Sequence, residues 1–334
     1  MSHVKKVAIV GATGSQGKFI VDELLKLGKH EVTAITRVES KAVIPEGVKV
    51  AKVDYGDHSS LVAALRGQEV LIITMSVQAP KETQKKLVDA AADAEVPWIL
   101  PNEWGLDHTN KALADDTFLG PPSRAIRKHI DDLGKSSWIG VACGFWYEFS
   151  IGGTPDRFGF NFAERSVIFF DDGTAPIHTS TWPQVARAVA KLLSLKTYPD
   201  DENDRSVTLS SYKGRFVRVA SFRVSQRDMF ESALRVTGTR PEEWKITRES
   251  SAQRYKEAAD RLRKDGDMTA FARALYTRDF FPDGSGLLDR DGLTLDNEIL
   301  GLPKEDLDEY TGIGIEREKL PAYGNRTAVE DESI

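Results

Sequence analysis

Near the start of the chain stands Val7-Ala8-Ile9-Val10-Gly11-Ala12-Thr13-Gly14-Ser15-Gln16-Gly17. Four apolar residues in a row end at a glycine, the pattern of a strand buried on both faces. Gly11, Gly14 and Gly17 follow at the spacing G-x-x-G-x-x-G. The first permits a tight turn, the second lets the backbone approach a pyrophosphate, and the third lets helix and strand pack closely. A helix comes next, with Phe19, Ile20, Leu24 and Leu27 on one face and Gly28 as its stop. Its N-terminus offers N–H groups and partial positive charge to phosphates. A dinucleotide-binding βαβ unit is expected, with Gly11, Thr13, Gly14, Ser15, Gln16 and Gly17 around the pyrophosphate.

Outward from this unit the alternation continues. Strands are expected at 31–36, 48–53, 70–74, 96–100 and 138–142, and helices at 59–65, 81–94 and 122–133. Strands and helices in alternation with short connections give a Rossmann doubly wound parallel sheet. After about residue 150 the pattern weakens. A strand at 166–171, a helix at 182–195, a strand at 207–210 and charged helices at 226–236 and 250–264 read as a smaller mixed α/β C-terminal substrate lobe. The expected division is a dinucleotide-binding domain over 1–150, with 182–195 packing back on it, and a lobe with C-terminal extension over 151–334. The stretch 281–334, rich in Asp, Glu and Gly, reads as partly loop with a disordered end.

Ligands of such sheets sit beyond the carboxyl ends of the strands. At the end of the second strand an acidic residue would hold ribose hydroxyls and repel a 2′-phosphate. Here stand Thr36-Arg37, with Lys41 nearby, and an arginine binds a phosphate through paired hydrogen bonds. The expected cofactor is therefore NADPH (NADP). Asp54, after the third strand, is expected to accept from the adenine amino group, with a helix cap as the competing role. Thr74-Met75-Ser76 and Asn102, after the fourth and fifth strands, are expected beside the nicotinamide ribose.

The spaced glycines, Thr36-Arg37, the Asp54 segment, Asn102-Glu103-Trp104-Gly105 and Gly144-Phe145-Trp146-Tyr147-Glu148 together resemble the NmrA-like and isoflavone-reductase-like group of atypical short-chain dehydrogenases/reductases, and fungal members of it in particular. The resemblance spans about residues 4–195 and is looser beyond. It implies an NADPH-binding Rossmann domain and a smaller substrate lobe. Many members of the group reduce small aromatic metabolites; others only bind the dinucleotide and regulate. The plant reductases carry a general acid/base lysine whose place falls at or near Ser123, where this chain has none. Lys128 and Lys111 are nearby cations without a required role. No Tyr-x-x-x-Lys pair occurs either.

A hydride transfer usually needs a proton donor near the accepting atom. Tyr147, Glu103 and Ser123 are the candidates for it. Trp104, Phe145 and Trp146 are candidates to stack on a planar substrate, and Glu148 and His178 to reach into its pocket. Two functions stand side by side: a reductase of a small, aromatic metabolite acting on C=C, C=N or C=O, and a non-catalytic NADP(H)/NAD(P) sensor that works through a protein partner. An epimerase or dehydratase fits less well without a Tyr/Lys pair.

The 334 residues carry 45 Lys+Arg against 51 Asp+Glu, a net charge of −6, which argues against a nucleic-acid partner. The single cysteine, Cys143, lies in an apolar run and reads as a small buried hydrophobe; no zinc spacing is present, and no metal site is expected. No run approaches the ~18 apolar residues of a membrane span, and Met1 to Lys6 leads straight into the first strand. The expectation is a cytoplasmic monomer or homodimer.

Overall fold

The computed structural model describes residues 3–76, 79–80 and 82–318. The expected disordered end and the start of the helix expected at 81 lie outside the described residues.

In chain order the elements are β1 (Lys6–Val10), α1 (Gly17–Leu27), β2 (Glu31–Arg37), β3 (Lys49–Val53), α2 (His58–Leu65), β4 (Val70–Ile73), α3 (Thr83–Asp93), β5 (Trp98–Leu100), β6 (Trp104–Gly105), α4 (Lys111–Asp116), α5 (Gly120–Leu133), β7 (Ser137–Ala142), β8 (Phe145–Trp146) and α6 (Tyr147–Ile151). They continue with β9 (Phe160–Asn161), β10 (Ser166–Phe170), β11 (Ile177–Ser180), α7 (Trp182–Leu193), β12 (Arg215–Arg218), β13 (Phe222–Val224), α8 (Gln226–Thr237), β14 (Lys245–Glu249), α9 (Ser251–Asp260), α10 (Phe271–Asp279) and α11 (Leu307–Glu318).

The main sheet runs β3-β2-β1-β4-β5-β7-β12, all parallel, with short β6 beside β7. The strand order reverses between β1 and β4, which opens a crevice at their carboxyl ends. Val7, Ile9, Val70 and Ile72 face one apolar layer, against α1 and α7. Ala8, Val10, Leu71 and Ile73 face the other, against α2 and α3. This two-sided burial explains why the strands read as continuous apolar runs. Cys143 is buried in the first layer, where burial pushes its thiol up to about 12.

Two differences from the sequence reading stand out. The segment expected as a strand at 207–210 is a single 3-10 turn, Leu209–Tyr212. Thr208 and Ser211 cap it reciprocally, and such side-chain bonds compete with a sheet ladder. The neighbouring Arg215–Arg218 is the true strand, and as β12 it extends the main sheet from beyond residue 150.

The lobe carries two three-stranded sheets, β14-β10-β9 and β13-β11-β8. Its core is aromatic, built on Phe145, Tyr147, Phe158, Phe160, Phe169 and Tyr276. Here α11 packs between α6 and α8. The segment 281–306 runs back across the sheet edge. Asp296 accepts from the Arg218 backbone and from Tyr212, and Glu305 accepts from Thr181 and Ser221 and pairs with Arg187.

Candidate functional site

A cleft of ≈ 740 Å³ opens at the strand reversal. At one end lie Thr36, Arg37, Ser40 and Tyr55; the glycine loop forms its floor; Trp104, Trp146, Phe149 and Trp182 close the other end.

The glycine loop shows what each glycine is for. Gly11 has φ +82°, and a Cβ there would lie 1.9 Å from the Thr74 carbonyl oxygen. A Cβ on Gly17 would lie 1.9 Å from the Gly11 carbonyl oxygen, so Gly17 packs α1 onto the loop and does not line the cleft. Gly14 lines it and is less crowded, with 3.3 Å to the same oxygen. Thr13, Ser15 and Gln16 line it as well. Gln16 places no side-chain cap on α1, and the Ser15 Oγ, Gln16 Oε1 and Thr36 Oγ1 atoms are buried without a partner. Orphaned hydroxyls and a tight glycine floor at a helix N-terminus suit the pyrophosphate and ribose of a dinucleotide.

Arg37 is the one charged side chain among the described lining residues. It is exposed, with Glu39 at 3.5 Å. Lys41 is exposed and does not line the cleft. Lys52 does more for this corner: opposite Thr36 in the sheet register, its Nζ donates to the Ser40 carbonyl at 2.7 Å and fixes the turn after β2. Asp54 also stays out of the cleft. Its Oδ1 accepts from the Gly56 backbone at 2.7 Å, so it closes its own turn, while neighbouring Tyr55 lines the adenine end.

Thr74, Met75, Ser76 and Asn102 line the cleft. Asn102 is already occupied: Oδ1 accepts from Met75 N at 3.0 Å, Nδ2 donates to Met75 O at 3.2 Å, and its own N–H donates to Gln84. It clamps the loop after β4. Trp104 does the same with its indole N–H, donating to Ile73 O at 2.8 Å.

The three expected proton donors are not in the cleft. Tyr147 is fully buried in the lobe core, its hydroxyl bonded to Thr311 at 2.7 Å, and burial pushes its pKa further up. Glu103 points beneath the sheet end, buried against His108 at 2.5 Å and Arg127 at 3.4 Å. Ser123 lies half-buried on α5, away from the lining residues. Lys128 and Lys111 are exposed and pair with Asp132 and Asp115; Lys111 opens α4. Of the expected substrate residues, Trp104 and Trp146 line the cleft. Phe145 turns into the lobe core and stacks on Tyr276 at 3.9 Å. His178 is buried in the lobe, where its Nδ1 accepts from Leu288 N at 2.9 Å; burial holds its pKa below the ordinary value.

Glu148 sits behind the cleft wall. Its Oε1 accepts from Trp182 N at 2.9 Å, while Oε2 is buried without a partner. Burial pushes its carboxyl up to about 7, opposed by the Trp182 bond and by Arg317.

Phe149 and Trp182 are cleft residues that the sequence reading missed. A signal existed for Trp182: it opens the helix directly after β11, which pairs in parallel with β8, so it emerges beside Trp146. Nothing local marked Phe149. Among the described residues no group of His, Cys, Asp or Glu is arranged to hold a metal, and no helix is long and apolar enough to cross a membrane.

Residues 3–150 match the NmrA-like family. The NmrA-like segment thus contains the glycine loop, Arg37 and the Asn102 clamp, and it ends just past Trp146. The chain is also 27% identical over 310 residues to the oxidoreductase aprR of Aspergillus flavus, covering 91% of this chain and 96% of that one. Among solved structures, AtPrR2 with NADP+ and (+)pinoresinol aligns with a TM-score of 0.71 at 22% identity, over 94% of this chain and all of that one. The NADPH-dependent quinone oxidoreductase QOR2 of Escherichia coli, complexed with NADPH, aligns with a TM-score of 0.64 at 21% identity, over 91% and 98%. These relatives and structural neighbours are oxidoreductases and NADP-dependent reductases, and the chain shares their fold.

Proposed function

We propose that this chain is an NADPH-dependent reductase of a small, neutral aromatic metabolite, acting on a polarised C=C, C=N or C=O bond. One observation carries the reading: among the described lining residues of the cleft, Arg37 is the one cation, at one end, and four aromatic rings stand at the other. An arginine in place of an acid at the end of β2 suits a 2′-phosphate. Such rings suit a planar acceptor, and guanidiniums that do not line the cleft stack on two of them, Arg157 on Phe149 and Arg317 on Trp182. QOR2 and AtPrR2, whose structures hold NADPH or NADP+, support the cofactor by analogy.

When bound, NADPH supplies the hydride. The chain's own part is positional. The glycine loop receives the pyrophosphate, Asn102 and Trp104 hold the loop after β4 against the nicotinamide side, and the aromatic end excludes water. Trp104, Trp146, Phe149 and Trp182 orient the acceptor. No described acid lines this end.

That last point also favours the second reading, a dinucleotide sensor that acts through a protein partner. Calorimetric titration with NADPH, NADP+, NADH and NAD+ separates the two. Selective NADPH binding, followed by oxidation of NADPH on mixing with aromatic enones, imines or quinones, is the expected result. Equal binding of NADP+ and NAD+ with weak reduced forms, and no turnover on any acceptor, would replace the reductase with the sensor.

A further inference from the structure

Three tryptophans line the aromatic end of the cleft, and they differ in one respect. The Trp104 indole N–H has its acceptor, Ile73 O. The Nε1 atoms of Trp146 and Trp182 are buried without one. An indole nitrogen is a donor only, so it needs an acceptor atom. Buried donors are nearly always paired, because leaving one unpaired forfeits its hydration. The two unpaired donors stand on adjacent rings, with centroids 5.9 Å apart. Trp182 is only 2% exposed and is held by its backbone at both ends, its N–H on Glu148 and its carbonyl accepting from Gln16. The ring is fixed in place with its polar atom unspent.

Building on the reductase reading, we propose that Trp146 and Trp182 turn their indole N–H groups onto an acceptor oxygen of the aromatic substrate, a conjugated carbonyl of quinone or enone type, and hold the charge that reaches this oxygen. Neutral donors that reach a developing oxyanion stabilise it without a proton transfer. This also accounts for a cleft end where no ionisable acid stands among the described lining residues. The step balances without one: a C–H bond of NADPH breaks, a C–H bond forms at a substrate carbon, the conjugated π pair moves to the oxygen, and water supplies the proton afterwards. An isolated imine, which needs its proton during the step, is a poor substrate on this account.

The test uses the full chain with NADP+ bound, and two probes of one shape: 2-methyl-1,4-naphthoquinone and 2-methylnaphthalene. Trp146→Phe, Trp182→Phe and the double variant keep an aromatic ring and delete the donor. The double variant is expected to lose about tenfold in quinone affinity, the effect of two ordinary hydrogen bonds, and to change less than twofold toward the hydrocarbon. In wild type, the two indole 1H–15N signals assigned through these variants should move downfield with the quinone and not with the hydrocarbon. Equal losses for both probes would mean that the rings only pack, and would overturn the proposal, as would unmoved indole signals. Failure of wild type to bind the quinone would overturn it as well. Should Trp182→Phe unfold, Trp146→Phe alone, on a half-buried ring, still carries the comparison. NADPH titration of each variant keeps the two readings apart. A wild type that ignores NADPH sinks the reductase, whereas intact NADPH and quinone binding in the double variant sinks only the tryptophan pair.

Discussion

Arg37 is the residue on which the choice of cofactor turns. Its guanidinium is exposed at the adenine end and shares that space with Glu39. Arg37→Ala is expected to weaken NADPH binding by about 1–3 kcal/mol, the scale of a charge-assisted bond, and to leave NADH nearly unchanged; calorimetry with both cofactors checks it. Equal loss for both would refute a 2′-phosphate role. Asn102→Ala acts differently. It strips the Met75 N–H and carbonyl of their partners, so both cofactors should weaken together, with slower turnover. At this scale the sequence located much of the cleft from backbone position: the glycines, Thr74 and Asn102 all come at strand ends, and all line or build it, while Asp54, also at a strand end, turns back on Gly56. It was less legible where the direction of a side chain decides. Glu103 and Trp104 are neighbours, and one goes beneath the sheet while the other faces the cleft. Tyr147 follows Trp146 and is swallowed by the lobe core, because α6 begins there and rotates the next side chain away.

Among elements, β1, the glycine loop and α1 form the unit most strictly dictated by sequence. Gly17→Ala and Gly14→Ala should therefore part company. A methyl on Gly17 meets the Gly11 carbonyl and pushes α1 off the sheet, with an expected loss of about 1–3 kcal/mol in urea unfolding. A methyl on Gly14 meets that oxygen only at 3.3 Å and stands where a pyrophosphate would approach, so the loss of stability should be clearly smaller while NADPH binding falls. Similar unfolding midpoints for both variants would contradict this division. The inner parallel strands β1, β4 and β5 were readable because each is apolar on both faces. β12 was not, since Arg215 and Arg218 bracket just two apolar residues, and its place comes from register against β7, which no local pattern reveals. The turn at 209–212 misled for the converse reason: β-branched residues precede a pair of serines that prefer to cap.

Across the whole molecule, two buried carboxyls are held up at about 7 by desolvation: Glu148 between lobe and α7, and Asp279 at the end of α10 with both oxygens unpartnered. Their ordinary values are 4.5 and 3.8, so between those values and 7 the folded chain holds protons that the unfolded chain has released. Each group thus contributes a loss of stability as pH rises through that window, levelling off above it. Glu148→Gln should gain on wild type in thermal unfolding as pH goes from about 5 to 7.5, and Asp279→Asn likewise. A difference that stays constant with pH would show that neither carboxyl is held protonated. The lobe itself was legible only as a mixed region, because its core joins residues far apart in the chain. Tyr147 on α6 finds its hydroxyl partner Thr311 on α11, and Ser232 on α8 bonds the same threonine. That bond has a consequence during synthesis. A chain emerging from the ribosome can complete the main sheet once residue 218 is out. The lobe's Tyr147 and Ser232 stay in water, without their protein partner Thr311, until α11 follows, so the aromatic core can close only after the sheet.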